Sequence, residues 1–271
     1  MTLEPQLIFE LAMLGLAGGF LAGLLGIGGG MVLAPFITII LSTRGISADL
    51  AVKMAIATSM STIVFTSLSS MRAHHQRGSV RWDIARGLAP GIVLGGIVGS
   101  LGIFALLKGT TLALIFAAFI SFSATQMFLD KKPKPGRTIP GMAGLLGTGA
   151  TIGLVSGLVG AGGGFISVPF MVAHNVAIIN AVSTSAALGF PIAIANAAGY
   201  AVGGQGVSGL PPWSLGYIWL PALAVIASCS VLTAPLGAAL AHRLPVVQLK
   251  RIFALVLYLL AAYMLWKGLH G

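Results

Sequence analysis

Three consecutive glycines occur twice in this sequence, at Gly28-Gly29-Gly30 and Gly162-Gly163-Gly164, and each triplet belongs to a longer motif that repeats. The stretch Gly23-Leu24-Leu25-Gly26-Ile27-Gly28-Gly29-Gly30-Met31-Val32-Leu33-Ala34-Pro35-Phe36 returns as Gly157-Leu158-Val159-Gly160-Ala161-Gly162-Gly163-Gly164-Phe165-Ile166-Ser167-Val168-Pro169-Phe170. A run of glycine breaks a helix and exposes amides. In hydrocarbon an unpaired amide costs several kcal/mol, so such backbone must be buried in protein or face a water-filled cavity. Met31 and Phe165 then open short helices, whose first N–H groups lack intrahelical partners and carry roughly half a positive charge. Two such ends facing each other make an anion site without any charged side chain. Its candidate members are Gly28, Gly29, Gly30 and Met31 with Gly162, Gly163, Gly164 and Phe165.

Hydroxyls recur in the same paired fashion. Ala57-Thr58-Ser59 corresponds to Ser183-Thr184-Ser185, each within an apolar run. Thr58, Ser59, Thr184 and Ser185 either donate to a bound anion or bond back to a carbonyl one turn earlier. Two further residues stand out. Lys53 is a basic residue inside an apolar segment, where charge is costly and marks a functional candidate, although Asp49 one turn earlier offers it an i,i+4 partner. Asn196 needs partners for its amide, either cargo or a neighbouring helix. The glycines spaced by four, Gly91/Gly95/Gly99 and Gly149/Gly153/Gly157, read instead as surfaces for close helix packing. Motifs for enzymatic chemistry are lacking: there is no His-Glu-x-x-His run, no nucleophile motif, and no Lys-Ser/Thr ending to turn a glycine run into a phosphate-binding loop. No cofactor or metal site is expected, and the adjacent His74 and His75 point in different directions on a helix.

The elements that must hold these residues follow from hydropathy. The 271 residues are 57% hydrophobic and 7% charged, with a mean hydropathy of +1.01. A soluble domain carries about 25% charged residues, so the chain belongs in a lipid bilayer. No Lys, Arg, Asp or Glu occurs between Arg137 and Arg243. Apolar runs long enough to cross lie at about 6–26, 47–71, 84–107, 110–129, 141–160, 177–203, 214–240 and 246–267. Two shorter runs, 31–42 and 165–174, follow the glycine triplets and read as membrane-embedded half-helices. The expected fold is an all-α polytopic membrane protein with eight long transmembrane helices and two half-helices. Trp213, Tyr217, Trp219 and Trp266, near span ends, read as interfacial anchors. Cys229 has no partner in its own chain, so no internal disulfide framework exists.

The net charge of +10 is not a nucleic-acid signature, because the basic residues sit in short gaps between apolar runs. Arg72, Arg77, Arg81 and Arg86 share one gap, and Lys131, Lys132, Lys134 and Arg137 share another, which reads them as cytoplasmic loops. The loop equivalent to 72–86 in the second half, Gly203 to Pro212, has no charge. Equivalent loops therefore fall on opposite sides, which predicts two inverted transmembrane repeats, 1–130 and 138–271, joined by a basic cytoplasmic linker at 131–137, with both termini outside. The short helices either cross or fold back on their predecessors. Cargo is expected where the repeats meet, exchanged as one repeat rocks against the other.

The twin glycine motifs ending in Pro-Phe, the downstream Ala-Thr-Ser and Ser-Thr-Ser, and the loop Arg77-Gly78-Ser79-Val80-Arg81-Trp82-Asp83 resemble the TauE/SafE family of sulfite and organosulfonate exporters. The likeness spans nearly the whole chain. It implies a multi-pass carrier in a prokaryotic cytoplasmic membrane, exporting sulfite or an organosulfonate such as sulfoacetate and driven by the proton-motive force. Relatives are also associated with thiosulfate and carboxylates, so import of such an anion, or a channel, stands as the alternative. The expected partners are a small anion and lipid, with proton coupling and homo-oligomerisation left open. One departure between the repeats is Pro191, which stands in the second Thr-Ser helix where the first has Phe65.

Overall fold

The computed structural model describes residues 4–25, 29–129, 136–241 and 246–271. Among them are ten helices: α1 (Pro5–Leu25), α2 (Gly30–Thr43), α3 (Ala48–Gln76), α4 (Trp82–Leu106), α5 (Gly109–Leu129), α6 (Met142–Val159), α7 (Gly164–Ala173), α8 (Ile178–Gly203), α9 (Leu220–Ala241) and α10 (Val246–His270). Eight are long and apolar enough to cross a membrane, and α2 and α7 are the two short ones. The chain is thus an all-α polytopic membrane protein. Gly28, residues 131–135 of the linker and residues 242–245 lie outside the described residues.

Local chemistry sets the helix ends. Pro5 opens α1, where its missing N–H is not needed. Ser47 caps α3 by accepting the Leu50 N–H at 3.5 Å, with Asp49 in the first turn to oppose the helix dipole. Gly160, at φ +69°, closes α6 in a left-handed conformation that costs glycine little. Within α4 one π-helical turn, Val98–Ile103, brings Ser100 against α6 and α8.

Close-packed neighbours fix the directions of the helices. A methyl on Gly91, Gly95 or Gly153 would collide with backbone across the α4/α6 contact. The pairing steps forward on both helices, from Gly87 with Leu145 to Gly99 with Leu154, so α4 and α6 run parallel with almost no side chain between them. This is the close packing expected from the four-residue glycine spacing. The α1/α9 contact is built alike: Gly15 lies on Ile226 and Cys229, and Gly19 on Ser230 and Thr233. In contrast α3 and α8 run antiparallel, because Ser67 faces Gly189 while the later His74 bonds the earlier Ser183. The short α2 retraces α1, from Leu33 beside Gly18 to an Arg44–Glu10 ion pair of 3.1 Å.

The packing partners do not follow the two halves of the sequence. Helix α1 packs most heavily on α9, α4 on α6, and α5 on α10. The 29-residue α3 is the most enclosed of the long helices and runs through the core. Residues 214–219, expected to begin the seventh long span, instead form a two-stranded ladder, β1 (Ser214–Leu215) with β2 (Ile218–Trp219), turning at Gly216 with φ +56°. That ladder folds Tyr217 and Trp219 inward, where both are buried. They are core residues rather than interfacial anchors; Trp213 and Trp266 remain exposed.

Candidate functional site

The two glycine breaks meet. A Cβ on Gly30 would collide with the Gly160 carbonyl oxygen and lie 3.1 Å from Ile63 of α3. Gly160 in turn packs on Ile56 and Ser59 of the same helix. Gly163, at φ +72°, sits between Ile152 and Ser156 of α6 and Ile192 of α8. The hydrogen-bond ladder of α2 restarts when the Val32 and Leu33 N–H groups donate to the Gly29 carbonyl at 3.1 and 3.0 Å. That of α7 restarts when Ile166 and Ser167 donate to the Gly163 carbonyl at 3.1 and 2.9 Å. The N–H groups of Gly30, Met31, Gly164 and Phe165 fall before those ladders begin. Gly29, Gly30, Met31, Gly162, Gly163, Gly164 and Phe165 are all buried.

The four hydroxyls play different parts. Thr58 Oγ1 accepts the Trp219 N–H at 3.0 Å, just before α9 begins. Thr184 Oγ1 accepts the Arg81 N–H at 2.9 Å, just before α4 begins. Each threonine thus satisfies a backbone donor at the start of a helix from the other half of the sequence. Ser59 donates to the Ile56 carbonyl one turn back, at 3.0 Å, and its proton is spent there. Ser185 accepts from Ser167 Oγ at 2.8 Å. The protons of Thr58, Thr184 and Ser185 are not used in these bonds.

Ser167 was not among the residues the sequence singled out. It is fully buried in the first turns of α7, and the same place in the first glycine motif holds Leu33. Comparing the two motifs residue by residue for polar differences would have found it.

Asn196 and Lys53 are engaged by neighbouring helices. Asn196 Nδ2 donates to the Ile192 carbonyl at 2.8 Å and reaches Gly153 at 3.5 Å, while Oδ1 is buried against Gly157 without a partner. One turn on, the Tyr200 hydroxyl donates to the Gly157 carbonyl, so both side chains tie α8 to α6. Lys53 Nζ donates to the Ala105 carbonyl at 3.4 Å, stands 3.9 Å from Asp49 and lies 5.4 Å from the centre of the Tyr217 ring. Asp49 also accepts the Gly109 N–H at the start of α5. Burial first, and then the Asp49 carboxylate, push the Tyr217 phenol above its ordinary range. At the opposite end of α3, His74 bonds Ser183 at 3.0 Å and His75 accepts the Trp82 indole N–H at 3.2 Å.

A family model described as "Sulfite exporter TauE/SafE" matches residues 11–264. A "Probable membrane transporter protein" of Haemophilus influenzae is 37% identical, over 94% of this chain and 97% of its own. "Probable membrane transporter protein YunE" of Bacillus subtilis is 25% identical, over 96% and 98%. A further probable membrane transporter protein, from Methanocaldococcus jannaschii, is 25% identical over 97% and 98%. No solved structure matches the chain. A family model that covers all but the ends of a chain built from eight candidate spans leaves one conclusion: the chain belongs to the TauE/SafE family of membrane transporters.

Proposed function

We propose that the chain is a secondary carrier that exports a small sulfur-containing anion, sulfite or an organosulfonate such as sulfoacetate, across a prokaryotic cytoplasmic membrane by alternating access. The observation that carries this reading is the meeting of the two glycine breaks on α3, where the start of α2 at Gly30 lies on Gly160, four residues before α7 begins. Helix N-termini favour negative charge, and buried amides replace the hydration shell of an anion without a fixed cation to hold it permanently. The donors are the amides that open α2 and α7, with the hydroxyl protons of Thr58, Thr184 and Ser185, which accept rather than donate in the bonds described above.

The antiparallel run of α3 and α8, which carry the two Thr-Ser pairs, supports inverted repeats. With the arginine-rich loop after α3 placed in the cytoplasm, both termini fall outside. An inside-negative membrane disfavours retention of an anion by about 2.3 kcal/mol per charge per 100 mV, so efflux needs no coupling in principle. The burial of the site residues describes a closed state, which exchange with either side requires the helices around the breaks to leave.

The test is counterflow of labelled sulfite and sulfoacetate in liposomes holding the purified protein, with and without an imposed pH gradient. Saturable, competable counterflow is expected, and its response to the gradient reads proton coupling. Flux that does not saturate would make the protein a channel. No flux of either anion would sink the assignment.

A further inference from the structure

We infer that the bodies that move during transport are two exchanged bundles, α1–α2–α3–α9 and α4–α6–α7–α8, rather than the two halves of the sequence. The inference rests on the alternating-access reading and changes what rocks against what. Thr58 and Thr184 are then positioning residues, each holding the helix that its bundle has taken from the other repeat.

Four independent contacts divide the helices this way. The α4/α6 and α1/α9 contacts are backbone on backbone, so that even a methyl at Gly91, Gly95, Gly149, Gly15 or Gly19 has no room. Such surfaces do not slide, because any register other than the glycine-matched one brings side chains into the neighbouring backbone. Side chains then lock both contacts: Ser230 and Thr233 donate to the Gly15 and Leu16 carbonyls, each at 2.9 Å, and Tyr200 with Asn196 ties α8 to α6. The Thr58–Trp219 bond fastens the start of α9 to α3, and the Thr184–Arg81 bond fastens the start of α4 to α8. The short helices complete the bundles, α2 lying on α3 and α7 on α8.

The seam between the bundles is of a different kind: α3 carries no glycine, and backbone meets backbone at isolated points, Gly30 on Gly160 and Gly216 of the ladder on Tyr200 and Ala201. Where α3 meets α8, Gly189 faces only the side chain of Ser67, and a Cβ there would be 3.1 Å from the serine Cβ. Polar bonds cross it at both ends: Ser183 meets His74 at 3.0 Å and Asn180 donates to the Ser79 carbonyl at 2.9 Å at one, while at the other Lys53 donates to the Ala105 carbonyl at 3.4 Å and the Tyr217 N–H to the Tyr200 carbonyl at 3.2 Å. The contact between the glycine breaks, Gly30 on Gly160, also crosses this seam. Opening the seam therefore separates Gly30 from Gly160, whereas opening either glycine contact would not. The α5/α10 pair packs chiefly on itself and touches both bundles, α5 reaching α3 and α6.

Two disulfides distinguish exchanged bundles from sequence halves, both in a Cys229→Ala background. Gly87→Cys with Leu145→Cys joins the halves of the sequence inside one bundle, at a Cβ separation of 3.5 Å. Ser67→Cys with Gly189→Cys joins the two bundles across the seam, near the distance that a disulfide needs. Counterflow of each reduced protein is its own baseline. Oxidation is expected to leave the Gly87/Leu145 pair at its reduced rate and to stop the Ser67/Gly189 pair, with recovery on adding reductant. Arrest of the Gly87/Leu145 pair would restore the sequence halves as the moving bodies. An oxidised Ser67/Gly189 pair that still transports, or one that neither oxidant nor a short thiosulfonate bridge can link, would remove the seam. If the reduced proteins show no counterflow, the transport reading fails instead, and spin-label distances decide the bundles separately. Labels at the exposed Phe9 and Leu232, in one bundle, are expected to hold one distance, while Leu94 and Leu232, across the seam, sample two. The reverse pattern overturns the inference without any flux measurement.

Discussion

Replacing Thr58 by valine separates a threonine that fastens a helix from one that only greets cargo. Valine keeps the shape and removes the oxygen that accepts the Trp219 N–H at 3.0 Å. Thr58 is 0% exposed and Trp219 1%, so water cannot take over the bond. An orphaned buried N–H costs about 1–3 kcal/mol, and that is the destabilisation expected of Thr58→Val. Thr184→Val removes the equivalent acceptor from Arg81, but Arg81 is only half-buried and water can replace the lost oxygen, so its cost falls below about 1 kcal/mol. Thr58→Ser keeps the oxygen and gives up one buried methyl, about 0.8 kcal/mol. Unfolding in mixed micelles of rising SDS content reads all three, with the fluorescence of Trp219 itself among the reporters. The order expected is Thr58→Val least stable, then the other two close to wild type. Thr58→Val unfolding at the wild-type midpoint would refute the fastening role and leave Thr58 as a cargo donor alone.

Other substitutions test the remaining assignments. Gly29→Leu and Gly163→Leu are expected to abolish counterflow in protein that still inserts; a Cβ at Gly29 would be 2.9 Å from the Gly18 carbonyl oxygen and one at Gly163 2.5 Å from Ile192. Full transport by both would remove the breaks from the site. Ser185→Ala is expected to raise the KM for the anion roughly fivefold, the worth of one hydrogen bond of about 1 kcal/mol. Ser59→Ala should leave KM unchanged, because its proton already serves Ile56. Lys53→Met is expected to preserve counterflow, since the ammonium group is engaged by Ala105, Asp49 and Tyr217; a lost preference for anions over neutral analogues would instead place Lys53 in the permeation path.

Hydropathy alone was enough to locate all eight long helices and both short ones, because each run carries at most a few charges and is bounded by charge, proline or glycine. That α4 and α6 each pack closely on a neighbour was equally legible, since glycines four apart line one helix face; that they pack on each other was not. Residues 214–219 were misread for the same reason that the spans were read correctly: an apolar run looks alike in a helix and in a buried hairpin. Tyr217 and Trp219 show the same limit, because aromatic residues near a span end face lipid or core according to what packs there, and Thr58 of α3 covers Trp219. Which helices pack together was not legible either. Similarity between two segments records their kinship and says nothing about adjacency, and here α4 and α9 lie against helices of the opposite half.

The exchange of α4 and α9 also changes how recurrence should be weighed. Thr58 and Thr184 drew attention because both repeats carry them, yet each has a structural task that the architecture needs twice: to accept the N–H just before a helix arriving from the other repeat. A duplicated chain keeps its fasteners as faithfully as its binding groups, so recurrence alone does not separate the two. Asymmetry does, because packing that is met twice can be met by the same residue twice, whereas a single cargo has no two-fold axis. Ser167 beside Ser185, where the first motif has Leu33, is such an asymmetry. So is Pro191 opposite Phe65. On this argument the second glycine break is expected to hold the proposed anion more tightly than the first, and Ser167→Leu, which makes the two motifs alike, should weaken binding more than Leu33→Ser strengthens it. Equal and opposite changes in KM would mean that the two half-sites share the cargo evenly.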